Sequence, residues 1–285
     1  MNTAKFSVTI LMVGLFLLCT AHEEPAKTLY ERKQKQETIS KYAENGIQSI
    51  TLWKFTVDHS DGEKLMTMKY DKDGTYLSVE AFEKDSLTLR VMYDYNKHGD
   101  MISDSDYNPD GLLKEKNVFS YDKKGRVISG SSYEGAELLT SRFNYKHSKD
   151  KRTIEFLKYN ADGKLDYTLL YTYNGDFDKQ DYESVVKYDA EGTVQMKVEK
   201  KYNTSGNVTH KLIYDKEGVL NYSFEYLYDG NGNNNQINRY DKDNKILKKD
   251  IFTYDQAGFC TEQVSIDSGN NIQFRLVYEY QHFRD

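Results

Sequence analysis

The chain has 285 residues, 39 basic against 45 acidic side chains for a net charge of −6, and 25 tyrosines. Cations and anions are interspersed without a basic stripe, which excludes electrostatic binding of nucleic acid. An aromatic content of 14% excludes a disordered chain, while 29% charged residues point to a sheet with one wet face.

The N-terminal MNTAKFSVTILMVGLFLLCTA carries one early cation, Lys5, an apolar run from Val8 to Leu18, and small residues at Cys19 and Ala21. This is the layout of a secretory signal peptide over residues 1–21, with a mature start near His22. The apolar run is too short for a membrane span. A lipid anchor on Cys19 is the alternative, and the bulky Phe16, Leu17 and Leu18 before it argue against one. The expected location is therefore exported: periplasmic, cell-surface or secreted. After the signal, Cys260 is the sole cysteine, so stability must come without an internal disulfide.

Residues 22–45 are helix formers with sparse apolar points at Leu29, Ile39 and Tyr42, and they end at Asn45-Gly46. They read as an N-terminal helix or extended arm lying against the domain that follows. From residue 46 to 285 one pattern recurs. Tyr-[Asp/Asn]-x-x-Gly follows from Tyr70, Tyr95, Tyr107, Tyr121, Tyr159, Tyr188, Tyr202, Tyr214 and Tyr254, with weaker copies between. Successive anchors lie mostly 12 or 14 residues apart, so the unit is two-stranded and 26 residues long.

Between turns the residues alternate. Leu165, Tyr167, Leu169, Tyr171 and Tyr173 share one face, and Lys164, Asp166, Thr168, Leu170 and Thr172 the other. The turn has a mechanical reading: Asp or Asn accepts backbone N–H groups, and Gly supplies the positive φ that returns the chain to the ladder. Gly125, Gly163, Gly192 and Gly218 are thus expected at positive φ. Short turns force each strand to pair with the next, giving an all-β, antiparallel up-and-down meander of about 17 strands. Twist must curl so many strands into a barrel-like or spiral sheet, and the sequence leaves closure open. A porin has this strand number, yet it alternates short turns with long loops and shows lipid an apolar band. Here the turns are short at both ends and the second face carries Lys, Glu and Asp, which argues against membrane insertion.

Tyr121-Asp122-Gly125-Arg126, Tyr159-Asn160-Gly163-Lys164-Leu165 and Tyr214-Asp215-Gly218 resemble the YD repeats of Rhs-type secreted proteins and, more loosely, the repeats of MORN-like proteins. They are also similar to repeats in small exported bacterial proteins with a curled or porin-like β-sheet and no assigned activity. The resemblance implies a curled β-shell.

Chemistry is sparse. No two of the six histidines have metal-site spacing, and His59, His98 and His147 fall in expected turns, where a solvated surface histidine is the default. DKDG at 71–74 and DGNGNNN at 229–235 begin like calcium loops, but Phe82 and Tyr240 occupy the twelfth positions where a Glu is required. Neither a metal nor any other cofactor is expected, and Cys260 reads as a packed structural residue. The informative pattern is aromatic: strands of one series end on aromatic-x-Tyr, so the rings form a belt near one end of the sheet. Tyr93, Tyr95, Phe119, Tyr121, Tyr171, Tyr173, Tyr226 and Tyr228 are the candidate ligand contacts, with Phe177 from NGDFDKQD. That loop, KHSKDK after Tyr145 and DGNGNNN after Tyr228 should emerge beside the belt. The belt serves either as a ladder that pins register or as a platform for sugar rings or a peptide. The expected function is an exported non-enzymatic binding or scaffold protein with a glycan or a protein or peptide as partner. A structural cell-envelope or shell element, and a carboxylate-dependent hydrolase, are the alternatives.

Overall fold

The computed structural model describes residues 26–56 and 60–284; the expected signal peptide and His59 lie outside them. Helix α1 spans Leu29–Glu44. Thr28 caps it, extended at φ −133°, with its Oγ1 accepting the Glu31 amide at 3.1 Å, and the chain leaves through Asn45 and Gly46 at φ +62°. None of its residues is buried, so caps and propensity rather than an apolar stripe sustain it.

The strands follow in order: β1 Ile47–Phe55, β2 Glu63–Tyr70, β3 Tyr76–Glu83, β4 Ser86–Tyr95, β5 Met101–Tyr107, β6 Leu113–Tyr121, β7 Val127–Glu134, β8 Leu138–Ser148 and β9 Thr153–Asn160. The second half comprises β10 Leu165–Thr172, β11 Ser184–Asp189, β12 Val194–Tyr202, β13 Val208–Tyr214, β14 Leu220–Tyr228, β15 Asn234–Asp241, β16 Ile246–Tyr254, β17 Cys260–Asp267 and β18 Ile272–His282. Each pairs antiparallel with the next, and β1 pairs with β18 from Ser49↔Gln281 to Phe55↔Arg275 as well as with β2. The meander is therefore a closed 18-stranded barrel. Closure removes the open edges that an unclosed sheet would expose.

The turn explains the closure. At Asp122, the backbone N–H donates to the Arg126 carbonyl (2.9 Å) and the Gly125 N–H donates back to the Asp122 carbonyl (3.0 Å). Asp122 Oδ1 accepts the amides of Lys124 and Arg126 at 2.9 and 3.0 Å. Burial pushes the Asp122 carboxyl up, but the bonds from Arg126 and Lys124 outweigh it and hold the group below the usual range. Gly125, Gly163, Gly192 and Gly218 take φ of +82°, +78°, +85° and +79°, and Asn244 and Asn270 fill the glycine position at +60° and +63°. The same pair of backbone bonds recurs at Asp71, Asn96, Asn108, Asn160, Asp189, Asn203, Asp215, Asp229, Asp241, Asp255 and Asp267. Each such turn leaves a one-residue register shift beside the residue before its Asp or Asn, a Tyr at all but Ile266, as between Ser120 and Tyr121. That is a glycine bulge, and bulges add twist and bend the sheet toward closure.

Turns after even-numbered strands gather at one end, and α1 lies across it. Arg32 Nε donates to Asp100 Oδ1 (2.7 Å), Lys41 Nζ to the Gly258 carbonyl (2.8 Å), and the Val127 amide to the Ala26 carbonyl (3.0 Å). Tyr42 packs on Tyr70 and Phe259, with ring centroids 4.7 and 5.9 Å away. Residues 283–284 also lie at this end, where the Phe283 amide donates to the Gly46 carbonyl, so no described segment crosses the opposite end.

Inward residues differ around the ring. On the contiguous arc from β15 through β18 and β1 to β5 they form the main core, including Leu52, Met68, Val79, Val91, Leu276 and Tyr278. Side chains this deeply sealed need a facing layer, which the opposite part of the same curled arc and α1 provide. On β6 to β14 most inward side chains are only half-buried. The outer face carries cross-strand ion pairs, Glu80 with Lys69 and Arg90, Lys146 with Glu155, and Arg275 with Glu262, and a pair along β12 between Lys197 and Glu199.

A methyl group on Gly192 meets nothing within 4 Å, whereas one on Gly74 would sit 2.1 Å from the Ile39 carbonyl oxygen in α1. Gly192→Ala should therefore lower the unfolding free energy by about 1–2 kcal/mol from backbone conformation alone. Gly74→Ala should cost more, because it also lifts the helix, and denaturant titration of both variants checks the order.

Candidate functional site

The belt is placed where the sequence puts it, at the helix end, and much of its chemistry is internal. Six tyrosines closing even strands donate their hydroxyls to the carbonyl at the start of the preceding strand or just before it. Tyr95 reaches Tyr76 (2.8 Å), Tyr121 reaches Met101, Tyr202 reaches Tyr182 (2.5 Å), Tyr228 reaches Val208 (2.8 Å), Tyr254 reaches Asn234 (2.6 Å) and Tyr280 reaches Cys260 (2.7 Å). Each bond closes the open mouth of one hairpin and fixes its register. A buried hydrogen bond of this kind contributes about 1 kcal/mol.

The candidate rings fall into groups. Tyr93 is sealed in the main core and stacks on Tyr76 at 5.0 Å; Tyr95, Phe119 and Tyr226 pack against that core, half-buried. Tyr173 and Phe177 are sealed in a second cluster with Ile154, against which Tyr171 packs. Tyr121 and Tyr228 are tied by their hydroxyls. Beneath α1, Tyr95 and Tyr121 line a crevice of about 30 Å³, room for water but not for a sugar ring.

Of the three unusual loops, all at the helix end, only residues 173–183 form a long excursion between strands. DGNGNNN makes the same turn as the others, with the Asp229 amide donating to the Asn233 carbonyl, and its last asparagines enter β15. KHSKDK mostly extends β8 and turns at Lys149–Arg152. His147 is a correction: it is half-buried rather than a solvated turn residue, with Nε2 2.8 Å from the Lys27 carbonyl oxygen, and burial pulls its pKa down. His98 is at an exposed turn, and Cys260 is buried, its thiol pushed up to about 12 by burial. Among the described residues no group of three His, Cys, Asp or Glu side chains could hold a metal.

The inward wall of β6 to β14 is where side chains meet water inside the barrel. Direct pairing places Tyr145, Phe156, Leu169, Lys187 and Met196 in one row across β8 to β12. Another runs Tyr171, Val185, Val198, Ile213, Tyr222. Met196 and Tyr222 face inward yet keep 37% and 38% of their surface accessible, so solvent enters from the end opposite the helix. A third row, Lys200, Lys211, Phe224, Arg239, Lys248, crosses β12 to β16. Cations lie over inward rings: Lys187 4.4 Å from the Tyr167 centroid, Arg239 4.3 Å from Tyr222 and 5.8 Å from Phe224. The glutamates of β12 and β14 face out, Glu199 taking the Tyr214 hydroxyl at 3.1 Å and Glu225 that of Tyr240 at 2.8 Å.

Sequence reading missed these cations, although a signal was there. Several odd strands close on cation-Tyr-[Asp/Asn], as in Lys158-Tyr159, Lys187-Tyr188 and Arg239-Tyr240. Their Tyr, at the end opposite the helix, points outward, and alternation sends the preceding cation inward.

Lys211 pays for its position: burial, then the neighbouring charge of Lys200, pushes its pKa down to about 8. Below pH 8 the lysine is charged in folded and unfolded chains alike, and the folded state bears the cost. Lys211→Met should therefore raise stability at pH 7 by up to about 3 kcal/mol. The gain should shrink as pH rises from 8 through 10.5, where Lys211 loses its proton in the folded chain first. Thermal unfolding at pH 7 and pH 10.5 checks both parts.

No family model matches the chain, and no curated protein does. Solved structures similar to it include a porin-like protein from Bacteroides uniformis, 11% identical over 82% of this chain and 98% of that one, with a TM-score of 0.43. A porin-like protein from Bacteroides vulgatus is also 11% identical over 82% and 98%, with a TM-score of 0.36. A DUF1329 family protein from Desulfovibrio piger is 8% identical over 91% and 94%, with a TM-score of 0.24.

Proposed function

We propose that the protein is an exported, non-enzymatic binding protein that holds a glycan or peptide inside its barrel, against the inward wall of β6 to β14. The observation that carries this is the division of the inner face: one arc is a sealed core, while the other keeps inward aromatic side chains in contact with water. A barrel built only as a shell would have no reason to leave Tyr222 and Met196 unpacked. Helix α1 forms the floor of this chamber, latched to the turns by Arg32 and Lys41. The belt rings Phe119, Tyr171 and Tyr226 are half-buried and face the same interior, so they contribute to the wall at its helix end.

Export is supported by the N-terminal pattern of Lys5, the Val8–Leu18 run and Ala21. A water-soluble barrel is supported by the outer ion pairs, since a charge at the bilayer midplane of a barrel costs about 2–4 kcal/mol for Lys or Arg. For a hydrolase, inward carboxylates would have to meet substrate. Asp104, inward on β5, is 1% exposed and accepts Asn117 Nδ2 at 2.8 Å, which favours a structural role. The exposed inward pair Glu115 and Glu134 on β6 and β7 is the place where a hydrolase reading would have to look.

The test is binding of the purified protein to immobilised glycan and peptide libraries. A hit should weaken at least tenfold in Tyr222→Ala and Tyr226→Ala and be unchanged in Leu227→Ala, which faces outward. Silence in both libraries, or a hit indifferent to both inward changes, contradicts the proposal.

A further inference from the structure

The third inward row sets the chemistry of the ligand. Lys200 and Lys211 stand directly opposite each other on β12 and β13, and Arg239 and Lys248 do so on β15 and β16, with Phe224 between the pairs. Like charges in directly opposed positions destabilise a sheet. The outermost two are balanced, Lys200 by Asp181 at 2.5 Å and Lys248 by Asp250 at 3.0 Å. In the middle of the row Lys211 lies 5.9 Å from the Phe224 ring centroid. Arg239 is held over Tyr222 and Phe224, and its Nε–H, shut off from solvent, finds no hydrogen-bond acceptor. A buried guanidinium donor without an acceptor is a costly feature that calls for an explanation, and a bound anion supplies one.

The charges are also sorted across the sheet. On β9, β12 and β14 the glutamates Glu155, Glu199 and Glu225 occupy outward positions, while Lys158, Lys187, Lys200 and Lys211 of β9, β11, β12 and β13 face in. Inward acids gather elsewhere on the ring, where Asp106, Glu115 and Glu134 stand opposite one another across β5 to β7, and Glu115 and Asp166 act on Lys158. The inward acids and cations are thus segregated around the ring, and positive potential is concentrated along the wall of β12 to β16.

Resting on the binding reading above, we infer that the row Lys200, Lys211, Phe224, Arg239, Lys248 binds an acidic oligosaccharide, its carboxylate or sulfate groups meeting Arg239 and Lys211 and a sugar ring lying on Phe224. Lys211 and Arg239 are two strands apart, about 10 Å across the sheet. An aromatic face between two cations at that span matches a ligand that alternates acidic groups with flat, weakly polar rings. Sugar rings provide such faces, whereas an acidic peptide brings charge without them.

The experiment is calorimetric titration of the wild-type protein with three probes: a uronic-acid hexasaccharide, a neutral hexasaccharide of the same linkage, and hexaglutamate. The acidic sugar should bind at least tenfold more tightly than either other probe, and its affinity should fall several-fold between 50 and 200 mM salt. Arg239→Gln and Lys211→Met should each weaken it at least tenfold, while Lys197→Gln on the outer face leaves it unchanged. If Arg239→Gln does not fold, Lys211→Met, which removes a destabilising charge, decides. Equal affinity for the neutral sugar overturns the inference and leaves the binding proposal standing. Hexaglutamate binding as tightly as the acidic sugar overturns the assignment to a glycan. Binding of none of the three overturns the inference, while the library screen decides the broader proposal separately.

Discussion

The positive-φ turn is the constraint on which the rest of this structure depends. Asp or Asn accepts two amides, Gly or Asn takes the left-handed conformation, and the strand re-enters its ladder one residue out of step. Repeated around the ring, that step bends each hairpin in the same sense, and the accumulated curvature brings β18 back to β1. Among the described residues this is achieved without a disulfide, because every strand then has two hydrogen-bonded neighbours. The tyrosine hydroxyls are secondary locks: they bind carbonyls at the hairpin mouths, where the bulge loosens the ladder.

Closure converts the period-two alternation into an inside and an outside, and the two are chemically unlike. Outside, acids and bases are paired across strands. Inside, one arc is apolar and packed, while the other mixes aromatic rings with lysines and Arg239. The cost is visible at Lys211, whose charge is held at a burial penalty, and at the orphan Nε–H of Arg239. Folding alone does not demand either residue, since a leucine in such a row would pack without penalty. Their presence is what turns attention from the belt to the wall.

The architecture was largely legible because the turn is a local object. Gly125 or Gly192 announces its own φ, Asn45-Gly46 announces the end of α1, and the 12- and 14-residue spacing fixes strand length. Closure was not legible, because it depends on the summed bend of eighteen strands rather than on any one segment. The belt was found for the right geometric reason, yet the sealing of Tyr93, Tyr173 and Phe177 depends on α1 and on residues 173–183, whose placement no periodicity reveals. The cation row stayed hidden for a different reason. Lys200, Lys211, Arg239 and Lys248 sit in strands with different numbers of residues before their turns, and only the register makes them neighbours. His147 was misread because β8 runs three residues past Tyr145, to Ser148, where a turn was expected.

The central claim is that the sheet closes, since inside and outside have meaning only then. Native-state amide hydrogen exchange tests it at β1 and β18. In a closed barrel the amides of Thr51, Trp53, Val277 and Glu279 are protected to the same degree as those of the mid-sheet strands β12 and β13. Exchange of the β1 and β18 amides at the rate of a solvent-exposed edge, with β12 and β13 protected, would contradict closure and with it the chamber.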